Sequence, residues 1–94
     1  MEVTVRLPSA LRTRADDKST VDLKLPEAAT LADLLDALAD RYPALERRLR
    51  DERRELRRYV NFFVDGEECR RLGGAATPLR DAAEVQIIPS VAGG

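Results

Sequence analysis

The sequence predicts an α+β domain, a mixed sheet curled around one main helix, and three observations carry that reading. Apolar and polar residues alternate at Val3, Val5 and Leu7 and again at Val21, Leu23 and Leu25, the period-two signature of strands with one buried face. Leu31, Leu34, Leu35 and Leu38 recur at helical spacing. Two more strand-like runs, Tyr59 to Val64 and Glu84 to Ile88, follow the helix, and strands on both sides of one helix in a short chain predict a single mixed sheet.

Each element has its own local cause. Pro8 ends the first strand and Pro26 the second, so the two form a hairpin with a long polar connection from Ser9 to Lys18. Thr30 is the expected N-cap of the helix, with Asp33 three residues on in a variant of the capping box. Tyr42-Pro43 closes it near Arg41, because proline cannot continue the hydrogen-bond ladder. Leu45 and Leu49 predict one or two further helical turns.

The run from Glu46 to Arg58 holds seven arginines among four acidic residues. Its plain reading is a solvated, ion-pair-laced helix or loop, and its sharper one a docking patch for an acidic partner. The aromatic and β-branched run Tyr59 to Val64 is the strongest strand signal, and Asp65-Gly66 is a favoured pair for a tight hairpin turn into a returning strand, Glu67 to Arg71. Alternation assigns Val60, Phe62 and Val64 to the core and places Tyr59, Asn61 and Phe63 on the other face, where Phe63 is a possible docking anchor.

Composition narrows the function. At 94 residues the chain has room for one modest core, here residues 1–89, and no linker or repeat divides it. Sixteen basic against seventeen acidic side chains leave a formal charge of -1, so no overall field draws in nucleic acid or an anionic membrane. The chain has no histidine and one cysteine, Cys69, which removes the usual general base, an intrachain disulfide and a four-ligand zinc site. Lys18 and Lys24, the only lysines, stand in polar surroundings and read as solvated. Met1-Glu2 leads directly into the first strand without an apolar leader, and the expected setting is the cytoplasm. No catalytic residue and no metal site is expected; any elaborate chemistry needs a partner enzyme.

The chemistry concentrates after Pro89. Ser90, Val91, Ala92, Gly93 and Gly94 carry no charged side chain and end in two glycines. Composition alone allows a frayed end. It also allows a thin tail that enters a narrow cleft in another protein, because glycine has no Cβ. The carboxylate of Gly94 would be ionised and a poor electrophile, so it needs activation before another atom replaces its oxygen. No Gly-x-x-x-x-Gly-Lys loop is present to bind ATP for that step.

Three runs together resemble the ubiquitin-like ThiS/MoaD sulfur carriers: Thr30 to Leu38 before Arg41-Tyr42-Pro43, Thr77-Pro78-Leu79-Arg80-Asp81 before Glu84-Val85, and Ile88 to Gly94. Arg58 to Val64, the acidic turn after it, Arg70 and Gly73-Gly74 look most like the CysO-type carriers. Ala82-Ala83 departs from the Gly-Asp frequent at that turn in the molybdopterin carriers.

The resemblance implies a β-grasp fold and a Gly94 carboxylate that an E1-like enzyme adenylates with ATP and converts to a thiocarboxylate. It implies an acceptor enzyme, such as a pyridoxal-phosphate cysteine synthase or a thiosugar synthase, and, in the cysteine branch, a metal-dependent peptidase that regenerates Gly94. Cofactors in that scheme belong to the partners. Two alternatives stay open: a ubiquitin-like protein modifier and a molybdopterin synthase small subunit. A persulfide on Cys69 is a rival route for sulfur, set against an ordinary strand cysteine.

Overall fold

A computed structural model describes residues 1–90. Its strands are β1 (Glu2–Arg6), β2 (Thr20–Lys24), β3 (Val60–Val64), β4 (Glu67–Glu68) and β5 (Glu84–Pro89), and its helices α1 (Ser9–Arg12), α2 (Leu31–Arg41) and α3 (Pro43–Leu49). Single 3₁₀ turns occupy Cys69–Arg71 and Gly74–Ala76. The sheet order is β2-β1-β5-β3-β4, with β1 and β5 parallel and every other neighbouring pair antiparallel. This is the mixed sheet that the sequence predicts and the arrangement of the β-grasp fold.

Alternation decides which face is covered. Val3, Val5, Val21, Leu23, Val60, Phe62, Val85 and Ile87 are buried and meet Leu31, Leu34, Leu35 and Leu38 of α2 and Leu45 and Leu49 of α3. Each such side chain contributes roughly 1.5–3 kcal/mol by leaving water. The other face, with Thr4, Asp22, Phe63, Gln86 and Ile88, stays open.

The capping box at Thr30 forms: the Thr30 amide donates to Asp33 Oδ2 at 2.8 Å, and the Asp33 amide donates to Thr30 Oγ1 at 3.4 Å. Pro43 takes the first turn of α3, where its missing N–H has no partner to lose. Asp65 and Gly66 have φ of 50° and 88°, the left-handed pair that a two-residue hairpin turn requires.

Three segments differ from expectation. The polar connection contains α1, anchored by the buried Leu11, with Ala15 buried just beyond it. The returning strand ends after two residues, because the Glu68 carboxylate accepts from the Arg70 amide at 2.9 Å and turns the chain inward; Arg70 then reaches back to the carbonyls of Val60 and Arg57 at 3.2 and 2.9 Å. In the arginine-rich run, Arg50 is 3% exposed. Its Nε donates to both Glu46 oxygens at 3.0 Å, and its Nη2 lies 2.9 Å from Asp36 Oδ1, an ion pair without the alignment of a hydrogen bond.

Candidate functional site

The carboxyl end of the described chain is held by the centre of the sheet. β5 lies between β1 and β3: it pairs with β1 from Glu84 to Gln86 and with β3 from Val85 to Pro89, and Val85 and Ile87 are anchored in the core. Pro89 pairs with Val60. Proline donates no hydrogen bond, yet the ladder continues one residue further, where the Ser90 amide donates to the Tyr59 carbonyl at 2.6 Å. Of the predicted tail, Ser90 is half-buried; Val91, Ala92, Gly93 and Gly94, including the reactive carboxylate expected at Gly94, lie outside the described residues.

The exit point is flanked by two clefts. One, about 180 Å³, is lined by Arg6, Arg12 and Ser19 together with Gln86 to Ile88 of β5. The other, about 240 Å³, lies under Pro89 and is lined by Leu11, Arg14, Arg48, Tyr59 and Val60. Both are smaller than the roughly 300–1,000 Å³ typical of small-molecule sites, and neither lining contains an acidic residue.

Phe63 is on the open face, as alternation places it, half-buried between Glu68 of β4 and Gln86 of β5. It stands further from the exit than Ile88, 38% exposed on that face, and Tyr59, 49% exposed and lining the cleft under Pro89. The sequence assigns Tyr59 to the open face without singling it out; the structure has it in the turn before β3, lining the cleft with Leu11, Arg48 and Val60. The signal was its position directly before β3, since Val60 opposite Pro89 brings Tyr59 to the base of the tail.

Cys69 is wholly buried, in a 3₁₀ turn instead of the expected strand. Burial, reinforced by the neighbouring Glu68 carboxylate, pushes its thiol up to about 11. It is therefore protonated and inaccessible at neutral pH, which removes support for a persulfide there. Among the described residues no group of three or more Cys, Asp or Glu converges to hold a metal ion, and no helix is long and apolar enough to cross a membrane. The charged groups at the exit are arginines, which stay protonated and can bind anions but take no proton from a nucleophile. What the site can do is present the chain end, with positive charge beside it.

Comparison with known proteins agrees with this geometry. The sulfur carrier protein CysO of Mycobacterium tuberculosis is 35% identical over the whole length of both chains, and small archaeal modifier protein 3 of Haloferax volcanii is 34% identical, again over both full lengths. A chain of the Amycolatopsis orientalis BexX/CysO complex superposes with a TM-score of 0.84 at 33% identity, covering 98% of this chain and 99% of that one. The ThiS family matches residues 5–94. A five-stranded mixed sheet, the family match over residues 5–94 and these full-length likenesses lead to one conclusion: the chain belongs to the ThiS family.

Proposed function

We propose that this chain is a sulfur carrier that works as a covalent co-substrate, with no catalysis of its own. In this reading the Gly94 carboxylate attacks the α-phosphate of ATP on an E1-like partner and pyrophosphate leaves. A sulfur nucleophile supplied by that partner then displaces AMP, leaving a thiocarboxylate. The product is a soft anion on a tether, able to enter an acceptor enzyme without free sulfide being released. The observation that supports the reading is the position of β5: it lies between β1 and β3, and the sequence that follows Pro89 is short, uncharged in its side chains and contains Gly93-Gly94.

ATP is used by the activating enzyme, and pyridoxal phosphate belongs to the acceptor if the sulfur goes to cysteine. A thiosugar synthase is the other acceptor class, and a metal-dependent peptidase completes the cysteine branch by releasing product from Gly94. Ser90 to Gly94 occupy the partner's cleft, and Phe63, with Ile88, supplies apolar contact on the open face. Likeness to an archaeal modifier protein favours a second reading, in which Gly94 is joined to lysines of target proteins.

The two separate by product. Purified thiocarboxylate supplied to an acceptor enzyme and its substrate should yield a small sulfur-containing molecule and return the Gly94 carboxylate. Conjugates of higher mass linked by amide bonds, with no small product, would support the modifier instead.

A further inference from the structure

The formal charge of -1 conceals a separation of charge along the sheet. At the end where β5 begins, Glu2, Asp65, Glu67 and Asp81 outnumber Lys24, Arg80 and the Met1 amino group: the Glu2 amide donates to Asp81 Oδ1 at 2.8 Å, and Arg80 Nε lies 3.1 Å from Asp65 Oδ2. At the end where β5 leaves, the two flanking clefts hold Arg6, Arg12, Arg14 and Arg48 and no acidic side chain. Arg6 pairs with Glu84 at 2.8 Å and Arg12 Nε donates to the Leu7 carbonyl at 3.0 Å. Among the described residues, Arg14 and Arg48 pair with no carboxylate. Guanidinium groups that meet no carboxylate thus stand beside the exit of β5, while carboxylates are in excess at the other end of the sheet.

We propose that the two clefts beside the exit of β5 receive carboxylate side chains from an acidic rim around the enzyme cleft that takes the tail. Four residues of chain beyond Ser90 span at most about 14 Å, and the arginines stand along β5 before Ser90, so they meet the mouth of the cleft, not its nucleotide. Cleft volumes of about 180 and 240 Å³ suit single side chains. Guanidinium matches carboxylate in a bidentate fork, and the carboxylate excess at the far end of the sheet favours approach with the arginine clefts leading. That same excess opposes a polyanion, which favours a protein over a nucleic acid. The inference rests on the sulfur-carrier reading only for the identity of the enzyme.

The test is the association rate of the full chain with the E1-like enzyme of the same organism, measured across a range of salt, for the wild type, Arg14→Glu/Arg48→Glu, and a control with the same charge change elsewhere, Lys24→Glu/Arg53→Glu. Thermal unfolding verifies that each variant folds, and Arg14→Gln/Arg48→Gln replaces the reversal if it does not. The expected result is a loss of about tenfold or more in association rate at low salt for the cleft variant, shrinking as salt rises, and less than about twofold for the control. Turnover at saturating carrier should be retained. Equal rates for the cleft and control variants would overturn the proposal. So would loss of binding to a short RNA with the enzyme rate intact, which would make the clefts a nucleic-acid site. Association without sulfur gain in the wild type would instead count against the carrier reading, with the rate comparison still deciding the clefts.

Discussion

The Ser90 amide meets the Tyr59 carbonyl at 2.6 Å, one residue past the last named pair of the β3–β5 ladder. The buried core ends earlier still, at Ile87. Truncation after Ser90 keeps every rung and core side chain of the described residues, and the shortened protein should unfold within about 0.5 kcal/mol of the full chain. Urea denaturation checks this; a loss above about 2 kcal/mol would mean that the last four residues pack on the domain.

Ala82 holds a φ of 67° while its amide donates to the Glu2 carbonyl at 2.8 Å. An L-residue with a Cβ in this left-handed region costs roughly 1–2 kcal/mol, and glycine offsets that only in part through its greater unfolded freedom. Ala82→Gly should accordingly stabilise the domain by about 0.5–1 kcal/mol, raising the melting temperature by roughly 4 °C. A lowered melting temperature would contradict the backbone argument.

Cys69 is wholly buried and its thiol is raised from 9.0 to about 11. In the native protein at pH 8 a disulfide reagent should react with Cys69 only as fast as the domain opens, whereas in denaturant the thiol should react at once. An acid whose folded pKa is raised contributes stability that is complete below pH 9 and declines as pH climbs through 11. The wild type should therefore lose stability over that window relative to Cys69→Ala. Rapid native alkylation at pH 8 would restore the persulfide route.

Phe63 is half-buried on the open face beside Gln86 and Glu68, not in the core under α2. Phe63→Ala should leave the fold intact and raise the KM of the activating enzyme for this carrier severalfold, with kcat unchanged, as removal of uniform binding requires. Ile88→Ala, closer to the exit, should do the same. Unchanged kinetics for both would take the open face out of the docking surface.

Much of this fold was legible because its signals are periodic or stereochemical. Val3/Val5, Val21/Leu23 and Val60/Phe62/Val64 alternate, Thr30 and Asp33 stand at capping distance, and Asp65-Gly66 suits positive φ. The parts that were not legible depend on tertiary partners. α1 is four residues long, too short for periodicity to register. β4 stops where the Glu68 carboxylate caps the following turn. Arg50 looks like its six neighbouring arginines in sequence, and only the approach of Asp36 and Glu46 lets it be buried. The arginine clefts escaped notice for a related reason: Arg6, Arg12, Arg14 and Arg48 are scattered along the chain, and the parallel pairing of β1 with β5 brings the first of them beside the tail.

The most direct test is the intact mass of the protein after incubation with ATP, a sulfur source and the E1-like enzyme, beside a variant lacking Gly94. The sulfur-carrier account predicts a gain equal to exchanging one carboxylate oxygen for sulfur in the full chain and none in the variant. No gain with an enzyme proven active on another carrier, or the same gain without Gly94, would contradict it.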